Sequence, residues 1–346
     1  MSKPIVLHLG DDIRWNHDLY KQLQEQFTIV RSYSMNREDF KQALKSRRFG
    51  DFVAMYRPFW NTGGEMGNWD DELISLLPQS CKIFTSAGAG FDWVDTKRLA
   101  QSGIIYCNAA AACTESVADT ALWLILSTYR LFSWSSRAAR SVDSASFRDA
   151  NRNIAAMTHN PSNSTLGIIG LGKIGFLVAQ KAKAAFGMHI VYNDIVQLPR
   201  EIEGKVDAEF YPKLEDMLAV ADCVVVATPF GGEKVLTKST FQHFKQGSRV
   251  VNIARGKLVD EPALIEALDS GRLFAAGLDV HFDEPNVNEK LAKMRNVEVL
   301  SHTAGASIES HVGFERLGIE NILEWARTGK ALTPVNMQWI ESKAKL

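Results

Sequence analysis

Residues 164–194, STLGIIGLGKIGFLVAQKAKAAFGMHIVYND, constrain the fold more than any other stretch of the chain. An apolar run (Leu166, Ile168, Ile169) leads into Gly170-Leu171-Gly172-Lys173-Ile174-Gly175. An Ala-rich helical stretch follows, and a second apolar run (Ile190, Val191, Tyr192) ends at Asp194. A G-x-G-x-x-G alone is weak evidence. Flanked by strand and helix, with an acid about 20 residues past the last glycine, it signals a dinucleotide site rather than packing alone. Gly170 permits the tight turn, Gly172 lets a pyrophosphate approach the backbone, and Gly175 lets the helix pack close to the sheet. The free N–H groups and partial positive charge of the helix N-terminus suit the phosphates. Asp194 would accept hydrogen bonds from a ribose 2′-hydroxyl and repel a 2′-phosphate, which favours NAD(H); Lys173 and Arg200 nearby leave NADP(H) open.

A chain of 346 residues has room for two domains and a large core. Its net charge of −1 gives no reason to expect nucleic acid or an anionic membrane as partner. Cys81, Cys107, Cys113 and Cys223 are scattered and form no C-x-x-C, so reduced core thiols are expected, and no metal. No apolar stretch is long enough to span a bilayer, and the opening MSKPIVLHLGDD is too short in its apolar part for a signal peptide. Ala344-Lys345-Leu346 nearly matches the Ser-Lys-Leu peroxisomal address. A cytoplasmic location is expected, with the peroxisome as the alternative.

From residue 4 to about 107, apolar runs at 5–9, 27–30, 52–55, 83–85 and 104–107 alternate with helical patterns at 15–25, 38–48, 70–77 and 94–101. Asn36 is the expected N-cap of the second helix. This rhythm predicts a parallel sheet with helices on both faces. No glycine fingerprint follows its first strand, so this half does something other than hold the dinucleotide. The loop from Arg57 to Glu65, with aromatics, an arginine and paired glycines, is a candidate substrate lid or subunit contact, and equally an ordinary surface loop. After the fourth strand, Ser86-Ala87-Gly88-Ala89-Gly90 would expose backbone N–H groups that could cradle a carboxylate. Residues 115–132 predict one long buried helix, and 133–161 a helix and connector suited to a dimer contact.

The second half repeats the alternation. Runs at 190–192, 223–227, 249–253, 274–278 and 297–300 predict strands, and 213–219, 238–244 and 261–268 predict crossover helices. A final helix over 308–328 is expected to return to the first half. Ligands in such sheets lie beyond the carboxyl ends of strands. That rule selects Asp194, Thr228-Pro229, Ala254-Arg255 and Asp279, together with the loop after the last strand. Three groups there suit one chemistry: Arg255 in Asn252-Ile253-Ala254-Arg255-Gly256, Glu284 in Asp279–Pro285, and His302. A planar guanidinium can bind a 2-oxo acid carboxylate in a bidentate way. A protonated imidazole can stabilise charge building on the C2 oxygen and then give up its proton, and a carboxylate can favour and orient that imidazole.

Taken together and in order, Ala87 to Gly90, Gly170 to Gly175 with Asp194, Asn252 to Gly256, Asp279 to Pro285 and His302 resemble the D-isomer-specific 2-hydroxyacid dehydrogenase family. The likeness is to its fungal branch, where D-mandelate dehydrogenase, glyoxylate reductase and 2-keto-L-gulonate reductase activities occur. The resemblance implies two Rossmann-like α/β domains. A flavodoxin-like substrate domain over 1–107 and 306–346 would be interrupted by an NAD-binding domain over 108–305. It implies Arg255, Glu284 and His302 as the catalytic residues. It also implies a cofactor site with Leu171, Lys173, Ile174, Thr228, Pro229, Ile253, Ala254, Asp279 and Val117 beside the three glycines and Asp194. Arg57, Ala87, Gly88, Ala89 and Gly90 would bind substrate. The expected partners are a small 2-oxo acid and a second copy of the chain. Two features depart from the family: Asn108 is followed by alanines where a Pro-Gly pair is common, and His281 stands where an aromatic is frequent. Arg57, Asn61 and Thr62 favour a polyhydroxylated acid of the 2-keto-L-gulonate type over glyoxylate, hydroxypyruvate or benzoylformate. A dinucleotide-sensing corepressor and a formate dehydrogenase are the alternatives.

Overall fold

The computed structural model of the chain describes residues 2–59 and 62–343. It forms two compact units, Met1–Cys113 with Ala306–Leu346, and Thr114–Gly305. Each is an α/β unit on an all-parallel sheet, the architecture that the βα rhythm predicts.

In the first unit, β1 (Ile5–Leu9), β2 (Thr28–Ser32), β3 (Ala54–Arg57), β4 (Ile83–Ser86) and β5 (Ile105–Cys107) run in the order β2-β1-β3-β4-β5. Their residues Val6, Leu7, Met55, Tyr56 and Phe84 are fully buried, as expected of strands covered on both faces. Asn36 caps the helix Arg37–Lys45 by accepting the Asp39 N–H at 2.9 Å. The helix Ile308–Thr328 returns to this unit, and Gly318 lets it lie against Tyr56, where a Cβ would stand 2.5 Å from the ring. On the same helix, fully buried Glu315 accepts the backbone N–H groups of Arg14, Trp15 and Asn16 and the Asn16 side-chain amide. The helix His17–Gln26 has no side-chain cap of its own at Asn16. Glu315 therefore supplies both acceptors and negative charge at that helix start.

In the second unit, β6 (Thr165–Ile169), β7 (His189–Asn193), β8 (Glu209–Phe210), β9 (Cys223–Val226), β10 (Ser248–Asn252), β11 (Leu273–Leu278) and β12 (Val297–Val299) run in the order β12-β11-β10-β9-β6-β7-β8. β8 is absent from the sequence expectation because two residues, one of them exposed, make no apolar run. The long helix spans Ala110–Arg130 and stops where Leu131, buried, turns left-handed at φ 51°. Two helices, Phe132–Arg140 and Ser144–Ile154, then replace the single helix and connector predicted for 133–161. All four cysteines are free and buried, and burial pushes the thiols of Cys81, Cys107 and Cys223 up to about 12, which leaves them unreactive. Among the described residues, no helix is long and apolar enough to cross a membrane.

The register of the second sheet positions the site. Asn193, Ile169, Val226, Asn252, Leu278 and Val299 pair side by side in one row. The residues that follow this row come out together at the carboxyl edge: Asp194, Gly170, Thr228, Arg255, Asp279 and His302. The order reverses between β6 and β9, the switch point at which ligands of doubly wound sheets bind.

The Glu315 cap gives a stability prediction. Glu315→Ala, which leaves three backbone N–H groups and an amide without their acceptor, should lower the urea-unfolding free energy by about 3 kcal/mol. An unchanged midpoint and slope would contradict this account of the cap.

Candidate active site

The glycine turn at the end of β6 has the shape a pyrophosphate requires. Gly170 is left-handed at φ 93° and lies against Thr228, whose Cα would be 3.0 Å from an added Cβ. A Cβ on Gly175 would stand 2.1 Å from the Gly170 carbonyl oxygen, so only glycine allows the helix Lys173–Phe186 to start this close to the turn. A Cβ on Gly172 would meet nothing within 4 Å, which leaves the backbone open to a ligand on that side. Gly172 caps the helix without a side-chain bond, so its first N–H groups are directed to whatever occupies that space. Asp194 is fixed beside the turn: Oδ2 accepts the Leu171 N–H at 2.8 Å and Oδ1 the Ile195 N–H at 2.7 Å. These residues fit a dinucleotide. Lys173 and Arg200 are exposed, Ile174 is half-buried, Pro229 follows Thr228 at the strand end, and Val117 is buried on the long helix.

Arg255 follows β10 on a turn shaped by Asn252. The Asn252 side chain accepts the Ala254 N–H at 3.0 Å and donates to the Arg255 carbonyl at 2.9 Å. The guanidinium Nη1 donates to the Ala254 carbonyl at 2.7 Å. Ile253, between Asn252 and Ala254, is buried. Gly256 closes it against the next loop, where a Cβ would stand 1.9 Å from the His281 carbonyl oxygen.

Glu284 and His302 meet directly. Glu284 Oε2 lies 2.7 Å from His302 Nδ1, and Oε1 accepts the His281 N–H at 2.8 Å. Burial disfavours the Glu284 charge, but the hydrogen bonds from His302 and the His281 backbone outweigh it and hold the carboxyl below its ordinary value. The ionised Glu284 carboxylate accepts a hydrogen bond from the Nδ1–H of His302 and so fixes the orientation of the ring. Each side chain of the pair is about a third exposed, at 34%.

Asp279 directly follows β11 and lies inside the turn that carries His302. Its carboxylate is 1% exposed and accepts the N–H groups of Thr303 at 2.9 Å and Ala304 at 3.0 Å, and its carbonyl accepts the His302 N–H at 2.8 Å. These three bonds make Asp279 the clamp of the turn that carries His302. That turn needs a clamp because His302 is left-handed at φ 55°. The close approach of Gly256 and the part played by Asn252 escaped sequence reading. A glycine directly after the strand-end arginine was the available signal.

In the first unit, Arg57 is the last residue of β3 rather than part of a loop. It is 6% exposed, donates to Ser86 Oγ at 3.2 Å and stacks over Trp93 at 4.7 Å. Burial lowers its pKa from the ordinary arginine value. The loop after β4 is shaped by Ala87, whose N–H donates to the Arg57 carbonyl, and by Ala109 and Asn108, which donate to the carbonyls of Gly88 and Ala89. No described residue accepts a hydrogen bond from the N–H groups of Gly88, Ala89 or Gly90. Asn108 thereby closes the loop without the Pro-Gly pair. Thr62 Oγ1 accepts the Asp11 N–H, and Asn61 lies outside the described residues. Among the described residues, no three His, Cys, Asp or Glu side chains gather as a metal ion would require.

The model of the family described as D-isomer specific 2-hydroxyacid dehydrogenase, NAD binding domain, matches residues 122–304. 4-Methyl-2-oxopentanoate reductase A of Aspergillus oryzae is 33% identical over 97% of this chain and 98% of its own length. Glyoxylate reductase 1 of Saccharomyces cerevisiae is 30% identical over 96% of this chain and 95% of its own. The holo form of Rhodotorula graminis D-mandelate dehydrogenase superposes with a TM-score of 0.94 at 40% identity, covering 97% of this chain and 98% of that one.

The contact at Gly256 is the sharpest steric demand of the site. Gly256→Ala should push the Arg255 turn and the His281 backbone apart and cost about 1–3 kcal/mol of stability, read by urea unfolding. A variant as stable as the parent would show that the two loops do not touch.

Proposed function

The chain belongs to the D-isomer specific 2-hydroxyacid dehydrogenase family and is an oxidoreductase of 2-hydroxy and 2-oxo acids; from that premise we propose that it uses NADH to reduce a 2-oxo acid with an apolar, branched or aromatic side chain to the D-hydroxy acid. The observation that supports the chemistry is the Glu284–His302 pair at 2.7 Å, on a turn clamped by Asp279 and next to the loop that Gly256 joins to Arg255.

When bound, the dinucleotide supplies the hydride that is delivered to C2 of the acid. Arg255 binds the carboxylate in a bidentate manner and polarises the C2 oxygen. His302 Nε2 donates its proton to that oxygen as charge builds there. Glu284, ionised, favours the imidazolium before the step and holds the ring in place. Arg57 and the N–H groups of Gly88, Ala89 and Gly90 are proposed to add to carboxylate binding. Asp194, already oriented by two backbone N–H groups, supports NADH over NADPH.

The preference for an apolar side chain replaces the sugar-acid expectation. Of the three polar groups behind that expectation, Arg57 is assigned to the carboxylate rather than to hydroxyl groups, Thr62 accepts from Asp11, and Asn61 lies outside the described residues. The names of the A. oryzae and R. graminis relatives both denote acids with apolar side chains. A homodimer through the dinucleotide-binding unit is proposed as the assembly. Trp123 and Phe147, 41% and 56% exposed on the helices Ala110–Arg130 and Ser144–Ile154, are large apolar groups that a second copy could cover. The cytoplasm is the proposed location; the Ala344-Lys345-Leu346 address lies outside the described residues.

NADH oxidation with 4-methyl-2-oxopentanoate, benzoylformate, glyoxylate and 2-keto-L-gulonate, repeated with NADPH and with formate plus NAD, tests the reading. The branched or aromatic acid with NADH should give the highest kcat/KM; a best rate with the sugar acid or with formate would contradict it. His302→Ala should lower kcat by at least about a hundredfold with NADH binding intact, and Arg255→Ala should lower kcat/KM by on the order of a hundredfold. Near-normal turnover by either variant would remove the role assigned to it. Glu284→Gln removes the carboxylate that accepts from His302 Nδ1 and should lower kcat by about ten- to a hundredfold with NADH binding intact. An unchanged kcat would exclude the pairing as a catalytic device.

A further inference from the structure

We propose that His281 is a positioning residue that sets Arg255, Glu284 and His302 in register with one another. The inference rests on the roles proposed for those three. Its backbone N–H donates to Glu284 Oε1 at 2.8 Å. Its carbonyl is the surface against which Gly256, the neighbour of Arg255, packs, since a Cβ there would stand 1.9 Å away. Its imidazole Nε2 lies 2.7 Å from the Leu300 carbonyl and donates to it, two residues before His302. One residue thus touches the loops of all three groups through three different atoms.

The ring is an expensive way to fill this space unless the donor matters. His281 is 6% exposed, and among the described residues its buried Nδ1 has no hydrogen-bond partner. A buried polar atom left unpaired costs stability that an apolar ring of similar size would not incur. What the imidazole offers in exchange is the Nε2 donor. The acceptor fixes the proton on Nε2 and leaves Nδ1 bare. The Leu300 carbonyl begins the turn that carries His302, and Asp279 holds its other end at Thr303 and Ala304. His302 sits between the two clamps in a left-handed conformation, which a non-glycine residue keeps only while its surroundings impose it. Releasing the Leu300 end lets the turn relax and moves the His302 ring relative to Glu284. The backbone contacts of His281 with Glu284 and Gly256 pass part of that displacement to the other two loops.

The test compares His281→Phe, His281→Asn and His281→Gln with the parent chain. Phe fills the volume without a donor. The Asn amide is too short to reach the Leu300 carbonyl, and the Gln amide can place an N–H near the position of Nε2. Two readouts are taken: kcat and KM with NADH and the acid reduced best, and amide hydrogen exchange at Thr303 and Ala304 in the cofactor-free protein. Phe and Asn should lower kcat by about ten- to a hundredfold, as a small misplacement of reacting groups does. KM and NADH binding should change little, and exchange at both amides should quicken. Gln should restore most of kcat and the slow exchange. If Phe fails to fold, the Asn–Gln comparison carries the test. Parent-like kcat and exchange in Phe or Asn would overturn the proposal. So would equal losses of melting temperature in all three variants with kcat per folded molecule intact. A parent chain that turns over no 2-oxo acid would instead refute the function proposed above, and the exchange rates would then decide the role of His281 alone.

Discussion

A single buried carboxylate holds the candidate site together. Asp279 stands at the end of β11 with 1% of its surface exposed, and it binds the backbone N–H groups of Thr303 and Ala304. Burial raises its carboxyl above the ordinary value, although those N–H groups pull the other way. Carboxylate and turn depend on each other: without the N–H groups the charge would be buried unpaired, and without the charge two amides would be. His302 reaches Glu284 because this turn stays closed.

The row of paired residues across the second sheet turns separate sequence motifs into one neighbourhood. Parallel strands in register end at a common edge, so residues that follow Asn193, Ile169, Val226, Asn252, Leu278 and Val299 emerge together. Gly170, Gly175 and Gly256 then bring backbone segments closer than any side chain would permit. The first two build the dinucleotide turn, and the third joins the arginine loop to the loop of the acid–histidine pair. The site is thereby assembled mostly from backbone geometry, with few side chains free to vary.

Much of this was legible in the sequence because its signals are strong and local. Apolar runs mark eleven of the strands to within a few residues, and they fail at Glu209–Phe210, which is too short and too exposed to leave a trace. The break at Leu131 was hidden because apolar residues continue on both sides, and nothing in the pattern announces a left-handed turn. The pairing of Glu284 with His302 was expected from the family likeness, and the structure shows it as a 2.7 Å contact. Asp279 is selected in the sequence by its place at a strand end, but its part in clamping the His302 turn is not, because Thr303 and Ala304 lie 24 and 25 residues away and no periodicity reports contacts of that range. The start of the Arg57–Glu65 loop is misplaced for a related reason: the apolar run ends at Met55, whereas the Arg57 guanidinium over the Trp93 ring lets the strand continue to Arg57 under cover.

The most direct test of the central claim is a crystal structure of the chain with NADH and oxamate, an unreactive analogue of a 2-oxo acid. The account predicts His302 Nε2 and the Arg255 guanidinium within hydrogen-bonding distance of the analogue, with Glu284 still on Nδ1 and Asp279 still holding Thr303 and Ala304. A complex in which the analogue is bound while His302 or Arg255 faces away from it would contradict the account.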